Sequence, residues 1–243
     1  MPKLRALSRP LALPVAGLVL AVSVAARDAP PDRWWSPGEG RTFPAQLDYE
    51  NEHGTLRTLL VGGPLPTKGH PFFEPLGPTG RACVTCHQPA DGMSLSAATA
   101  RQRWDATGGK DPLFAAIDGS NCPILPQQER ASHSLLLERG LIRIERPWPV
   151  RSWNGKAIAP DFDIAVVHDP NGCNSAPGYG PAAGKISVYR RPRPVANMKY
   201  LLAVGFPFDP KQGLALPIDP DDGKPQSGNL MADNRAGNLR EQM

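Results

Sequence analysis

Polar and apolar positions at the start of the chain are segregated in blocks. Lys3, Arg5 and Arg9 precede Leu11 to Val24, an acid-free apolar run interrupted at Pro14. At about 14 residues the run is short of the roughly 20 that a helix needs to cross a bilayer, and the small residues Ser23 to Ala26 suit a cleavage site. The pattern predicts a signal peptide over 1–26, cleaved on export to the periplasm or an equivalent compartment; the alternative is an uncleaved N-terminal anchor. Over 27–78 dispersed Pro and Gly leave little clean period, which predicts an extended arm held by Trp34 and Trp35. Within it, Gln46 to Val61 reads two ways, because Leu56, Leu59 and Leu60 have helical spacing while Leu59-Leu60-Val61 fits a short buried strand.

From Thr79 the period is helical. The spacing predicts a helix over Thr79 to His87 and a second, capped by Ser96, from Ala97 to Trp104 and ended by Gly108-Gly109. Asp111-Pro112 opens a short helix reaching Ile117, and another runs from Gln127 to Arg139 with Leu135, Leu136 and Leu137 inward and Gly140 as terminator. After Gly140 the period becomes two. Ile142 and Ile144, then Phe162, Ile164 and Val166, then Ile186 and Val188 alternate with polar or small neighbours, which predicts a small antiparallel sheet. A last helix starts near Met231 and is still polar and helical at Met243, without a terminator, so the C-terminal helix reads as truncated.

Composition refines this picture in two ways. Proline (29) and glycine (24) are abundant, while 40% of residues are hydrophobic and 21% charged, the balance of an ordered but loop-rich globular chain. The net charge of +4 hints at an acidic partner, but removing the three leader cations from the 27 basic residues leaves 24 against 23 acidic ones. That removes the electrostatic case for nucleic-acid binding. Once the leader is cleaved, no integral membrane segment is expected.

Cys83-Val84-Thr85-Cys86-His87 is C-x-x-C-H, the attachment pattern of c-type haem. On one helical turn both thiols can add to vinyl groups of one porphyrin, and the adjacent imidazole then faces the iron. A thioredoxin-like redox pair would need a βαβ setting, and a zinc site would need a second ligand pair; neither surrounds the motif. The cofactor expectation is one covalently bound heme c, with His87 as proximal iron ligand. The distal position stays open among His133, His168 and Met198, with His53, His70 or a water-filled position as further possibilities; Met93, six residues past His87, has barely the reach to cross the porphyrin. No catalytic residue is assigned.

Cys122 and Cys173 remain once haem has taken two of the four cysteines. In an exported chain an even remainder in turn-like segments points to a disulfide, the alternative being two free thiols. Arg190 and Arg191 could pair haem propionates through bidentate guanidinium contacts, or simply form a solvated cluster at a strand end. Trp104 and Trp148 could lie near a haem or serve as packing.

These residues carry a resemblance. Gly80-Arg81-Ala82-Cys83 through the motif, Asp118 to Pro123, Ser134 to Leu137, Tyr189 to Pro192 and Ser227 to Arg235 resemble the bacterial di-haem cytochrome c peroxidase-like family, in its N-terminal haem half. The resemblance implies a mainly α, cytochrome c-like haem domain over 79–243, with a small antiparallel β insertion at about 141–191 and long Pro/Gly-rich loops, an α+β arrangement overall. It also implies a second haem domain, for which this chain has no second C-x-x-C-H, and a distal histidine soon after the first motif, where the next histidine here is His133. The expected function is periplasmic electron transfer with a redox partner protein. The competing expectation is a haem peroxidase reducing hydrogen peroxide, and a weaker third is a gas- or redox-sensing module.

Overall fold

Leu47 and Tyr49 alternate with Gln46, Asp48 and Glu50, and that alternation settles the ambiguous 46–61 stretch as a hairpin. In the computed structural model, which describes residues 34–51, 53–151 and 156–197, β2 (Gln46–Asn51) pairs antiparallel with β3 (Gly54–Leu59), Gln46 opposite Leu59 and Asn51 opposite Gly54. The short strands β1 (Thr42–Phe43) and β4 (Leu65–Pro66) pair beside it. The expected arm is therefore folded back on itself, and Leu59 and Val61 are exposed rather than forming a buried strand. Leu47 faces Trp35, Phe43, Phe73, Ala82 and Val84, with Tyr49 packed alongside, in an aromatic cluster.

Helices are short because proline and glycine punctuate them. α1 covers only Cys83–Cys86, α2 runs Ala97–Thr107, and α3 runs Ser134–Arg139. Thr79 to Ala82 stay outside α1, where Gly80 takes a positive φ and Leu76 donates to the Arg81 carbonyl. The segment before α3 is a 3₁₀ turn, Arg130–His133, so the helix expected from Gln127 starts later. Asp111 caps a 3₁₀ turn, Pro112–Phe114, that ends short of Ile117. The caps themselves are as read: Ser96 accepts from Thr99 N, and Gly108 and Gly140 end α2 and α3 in the left-handed region. Leu95, Ala100, Trp104, Leu113, Phe114, Leu136 and Leu137 form the second core cluster.

β5 (Ile142–Pro147) and β6 (Lys185–Arg190) make an antiparallel hairpin, Ile142 opposite Arg190. Arg143 and Ser187 are the residues it buries: Arg143 donates to Ser187 Oγ (3.0 Å) and the Ile117 carbonyl (2.5 Å). The third expected strand does not form. Phe162 and Val166 are exposed and Val167 is 94% exposed, so the apolar positions of that alternation find no sheet to cover. The Cys122–Cys173 disulfide ties the loop before α3 to the loop before β6, with 5.4 Å between Cα atoms.

A mainly α, cytochrome c-like fold is thus not what the chain adopts. Of the described residues 21% are helical, in three short α-helices and four 3₁₀ turns, and 20% lie in small two-stranded antiparallel sheets and isolated bridges. The physical reason is the spacing of helix breakers, which leaves segments of 4, 11 and 6 residues and puts the stabilisation into loop-borne side chains and hairpins. Among the described residues no helix is long and apolar enough to cross a membrane. The leader 1–26, Met198 and the C-terminal helix expected from Met231 lie outside the described residues.

Candidate functional site around the C-x-x-C-H turn

A four-residue helix cannot hold itself together in water, so α1 has to be fixed by its neighbours. It is wedged between the two clusters: Ala82 and Val84 enter the aromatic one, and Cys86 packs against the helical one. Three polar contacts lock it. Thr85 Oγ accepts from Ala82 N at the entry (3.0 Å). Gln88, fully buried, accepts from Trp35 N and donates to the Trp35 carbonyl, both at 2.9 Å, and also donates to the Val84 carbonyl. Arg103 of α2, with no exposed surface, donates to the Thr85 carbonyl (2.5 Å) and grips Asp111 through two nitrogens at 2.5 and 3.0 Å.

Cys83 and Cys86 are half-buried and not disulfide-bonded. Burial pushes both thiols above the usual range; at Cys86 the nearby Arg81 opposes this, its Nη2 lying 3.8 Å from Sγ. Burial thus disfavours the thiolate form at both positions. Arg81 also pairs with Asp118, whose carboxyl burial nevertheless raises.

His87 turns back towards the loop that follows it. Its Nδ1 donates to the Met93 carbonyl at 3.0 Å, since a carbonyl can only accept. In the neutral ring that leaves the lone pair on Nε2. Burial pushes the imidazole below its ordinary range and so favours the neutral form, against the opposing pull of the Met93 and Arg193 carbonyls. Met93 takes a positive φ of 60°, and its carbonyl also accepts from Val195 N, so the strap around 195 steadies the group that orients His87. A backbone acceptor on one nitrogen is the usual way in which a protein orients a metal-binding histidine.

Cys83, His87 and Met93 open onto a cavity of about 290 Å³ whose other walls come from the hairpins, including Phe43, Leu60, Leu65, Phe72 and Phe73. This is at the low end of the roughly 300–1,000 Å³ of ligand sites, with the apolar lining and few polar groups that such sites have. Cys83, the His87 imidazole and an apolar slot suit a covalent porphyrin, while Cys86, the second thiol of the motif, packs against the helical cluster and is not among the lining residues.

The other sequence candidates lie elsewhere. His133 is fully buried between Trp104 and Phe114, with Nδ1 2.8 Å from the Gly119 carbonyl and Nε2 3.0 Å from the Gln127 carbonyl. Both nitrogens are spoken for by backbone. His168 is exposed, in no strand, and borders a separate hollow formed by the Ile164–Val167 stretch and β6. Arg190 and Arg191 are exposed; Arg191 donates to the Arg139 carbonyl, and neither lines the cavity. Trp104 is a core residue against Phe114, and Trp148 stacks loosely on Phe162. The histidine that the structure does bring to the cavity is His70, which nothing in its sequence surroundings distinguishes from the rest except Phe72 and Phe73 beside it.

Among the described residues no group of three or more His, Cys, Asp or Glu side chains gathers to hold a bare metal ion. No protein-family model matches the chain, and neither a curated protein nor a solved structure is significantly similar to it.

Proposed function

We propose that this chain is an exported c-type haem protein whose task is single-electron transfer. The observation that carries the reading is the pairing of C-x-x-C-H with a His87 that lines an apolar cavity and is oriented there through its Nδ1 by the Met93 carbonyl. Covalent haem, once attached, supplies a one-electron couple at its iron. The chain's residues do the rest. Cys83 and Cys86 would hold the group, each thiol adding its sulfur and its proton across one vinyl double bond so that the electron count is unchanged. His87 offers Nε2 to the metal, and the Phe43, Leu60, Phe72 and Phe73 wall excludes water, which holds down the dielectric around the couple.

The apolar leader, Leu11 to Val24, supports export to the compartment in which haem c is attached. The resemblance to the N-terminal half of di-haem cytochrome c peroxidase-like proteins rests on its sequence segments and not on a helical cytochrome fold. It supports a redox partner protein as the electron source or sink.

The test is expression of the full chain in a host with haem-c maturation machinery, followed by denaturing electrophoresis and haem staining. One stained band is expected, weakened by Cys83→Ala or Cys86→Ala. A colourless exported protein overturns the reading. Turnover of hydrogen peroxide with a reduced small cytochrome at about 1 to 10³ per second would replace electron transfer by peroxidase activity.

A further inference from the structure

Two imidazoles line the cavity, and the backbone holds them in opposite tautomers. His87 has its Nδ1 on a carbonyl, hence a proton there and a lone pair on Nε2. His70 has its Nδ1 on a donor: the Phe72 backbone N–H points at it from 3.2 Å. An amide can only donate, so His70 Nδ1 is the acceptor and the ring proton sits on Nε2. One ring is presented as a base and the other as a hydrogen-bond donor.

The turn that carries His70 is rigid. His70 N donates to the Thr67 carbonyl, the His70 carbonyl accepts from Phe73 N and Glu74 N, and its ring lies edge-on to Phe73 at 5.7 Å between centroids. Val84 N donates to the Phe72 carbonyl at 3.0 Å, so the turn is bolted directly to the cysteine-bearing helix α1. A ring flip that freed Nε2 as a base would give up the Phe72 contact. Met93, the other donor atom on the cavity wall, sits on the loop that is tied to His87 by its own carbonyl. Thr58 adds the only other polar side chain among the described lining residues.

We infer that His70 is not an iron ligand but the hydrogen-bond donor of a pocket for a small exogenous ligand, one with a hydrogen-bond-accepting or anionic terminus such as cyanide or a diatomic gas. The inference rests on the haem reading above and extends it: a ligand bound at the iron of an attached haem would meet His70 Nε2–H, which would stabilise its outer atom against the apolar wall of the cavity. A hydrogen bond formed where water is excluded is felt mainly in the rate at which the ligand leaves.

The experiment uses the full chain carrying covalent haem, as wild type and as His70→Leu and His70→Gln. Gln keeps an N–H donor, and Leu keeps only bulk. Each protein is stained for covalent haem, its resting absorption spectrum is recorded, and the release of cyanide from the ferric form and the C–O stretch of the ferrous carbon monoxide complex are measured. The expected result is an unchanged resting spectrum in all three, cyanide release about tenfold faster in His70→Leu and within about threefold of wild type in His70→Gln, the size of one hydrogen bond. The C–O stretch should rise in His70→Leu alone. A wild-type spectrum of six-coordinate low-spin haem that becomes high-spin in His70→Leu makes His70 a ligand and overturns the inference. Equal release rates and stretches in all three proteins overturn it as well. Absence of stained haem in the wild type is the separate failure of the haem reading itself.

Discussion

Asp111→Asn is the substitution that most directly probes what holds the C-x-x-C-H turn in place. Asparagine keeps the Oδ1 acceptor for Leu113 N (2.8 Å) and Arg103 Nη2, while its Nδ2 replaces Oδ2 and sets donor against donor at Arg103 Nε, so the perturbation is the loss of charge opposite Arg103 together with that one hydrogen bond. Arg103 is fully buried, and without the carboxylate its guanidinium retains the Thr85 carbonyl and the face of Trp34, 5.6 Å from the ring centroid. With charge centres about 4 Å apart and an effective dielectric of about 20, the lost attraction is about 4 kcal/mol. That agrees with the roughly 3–5 kcal/mol expected when one partner of a buried pair is removed, a large share of the roughly 5–15 kcal/mol that holds a domain folded. Urea unfolding followed by far-ultraviolet circular dichroism measures it. Arg103→Met combined with Asp111→Asn removes the stranded charge and should recover at least half of the loss. A loss below about 1 kcal/mol in Asp111→Asn, or a double variant as unstable as the two single losses added together, would refute the argument that this pair is energetically closed.

Three further outcomes are expected. Gly119→Ala should lower stability by about 1–3 kcal/mol or more, because a Cβ there would lie 2.0 Å from the Leu113 carbonyl oxygen, and an unchanged urea midpoint would contradict the close approach. Reducing the Cys122–Cys173 bridge, which closes a separation of 51 residues, should cost about 4 kcal/mol in the chain-entropy estimate; non-reducing peptide maps must show the linked pair rather than two alkylated thiols. Tyr49, partly buried beside Trp35 with its oxygen accepting from Trp35 Nε1 at 3.1 Å, and Tyr189 have phenols pushed by burial up to about 12. Because these pKa values are raised on folding, the stability they contribute is complete below about pH 10 and is lost as pH climbs towards 12. Ultraviolet titration should show delayed phenolate formation, and Tyr49→Phe should flatten the alkaline decline; a decline identical in that variant counts against the burial.

Hydrogen bonds that close within a few residues were readable in advance. Ser96 and Asp111 as caps, and Gly108 and Gly140 as terminators, depend on local backbone geometry, and each stands where its side chain or its lack of one placed it. The expected helices exceed the observed ones because periodic spacing does not show where tertiary contacts stop supporting a segment: α1 covers four of the nine residues from Thr79 to His87. The strand at Phe162 was read into an alternation that has no partner, and pairing is a property of two segments, not one.

The composition of the C-x-x-C-H turn and the pool of cysteines left for a disulfide are properties of the chain as written, since they depend on identity and spacing alone. Which of the other four histidines shares the cavity with His87 is not such a property. His133 and His168 stand ahead of His53 and His70 on sequence, yet one is enclosed by Trp104 and Phe114 and the other stands on a separate surface, while His70 comes in on a turn bolted to α1 through Phe72 and Val84. The tautomers likewise follow from atoms remote in kind rather than in number: a carbonyl at Met93 makes His87 a base, and an amide at Phe72 makes His70 a donor. Those partners are backbone groups, present at every position of every chain, so no residue code marks them. Only the folding of the hairpins and of the strap around Val195 against α1 decides which of them meets which ring.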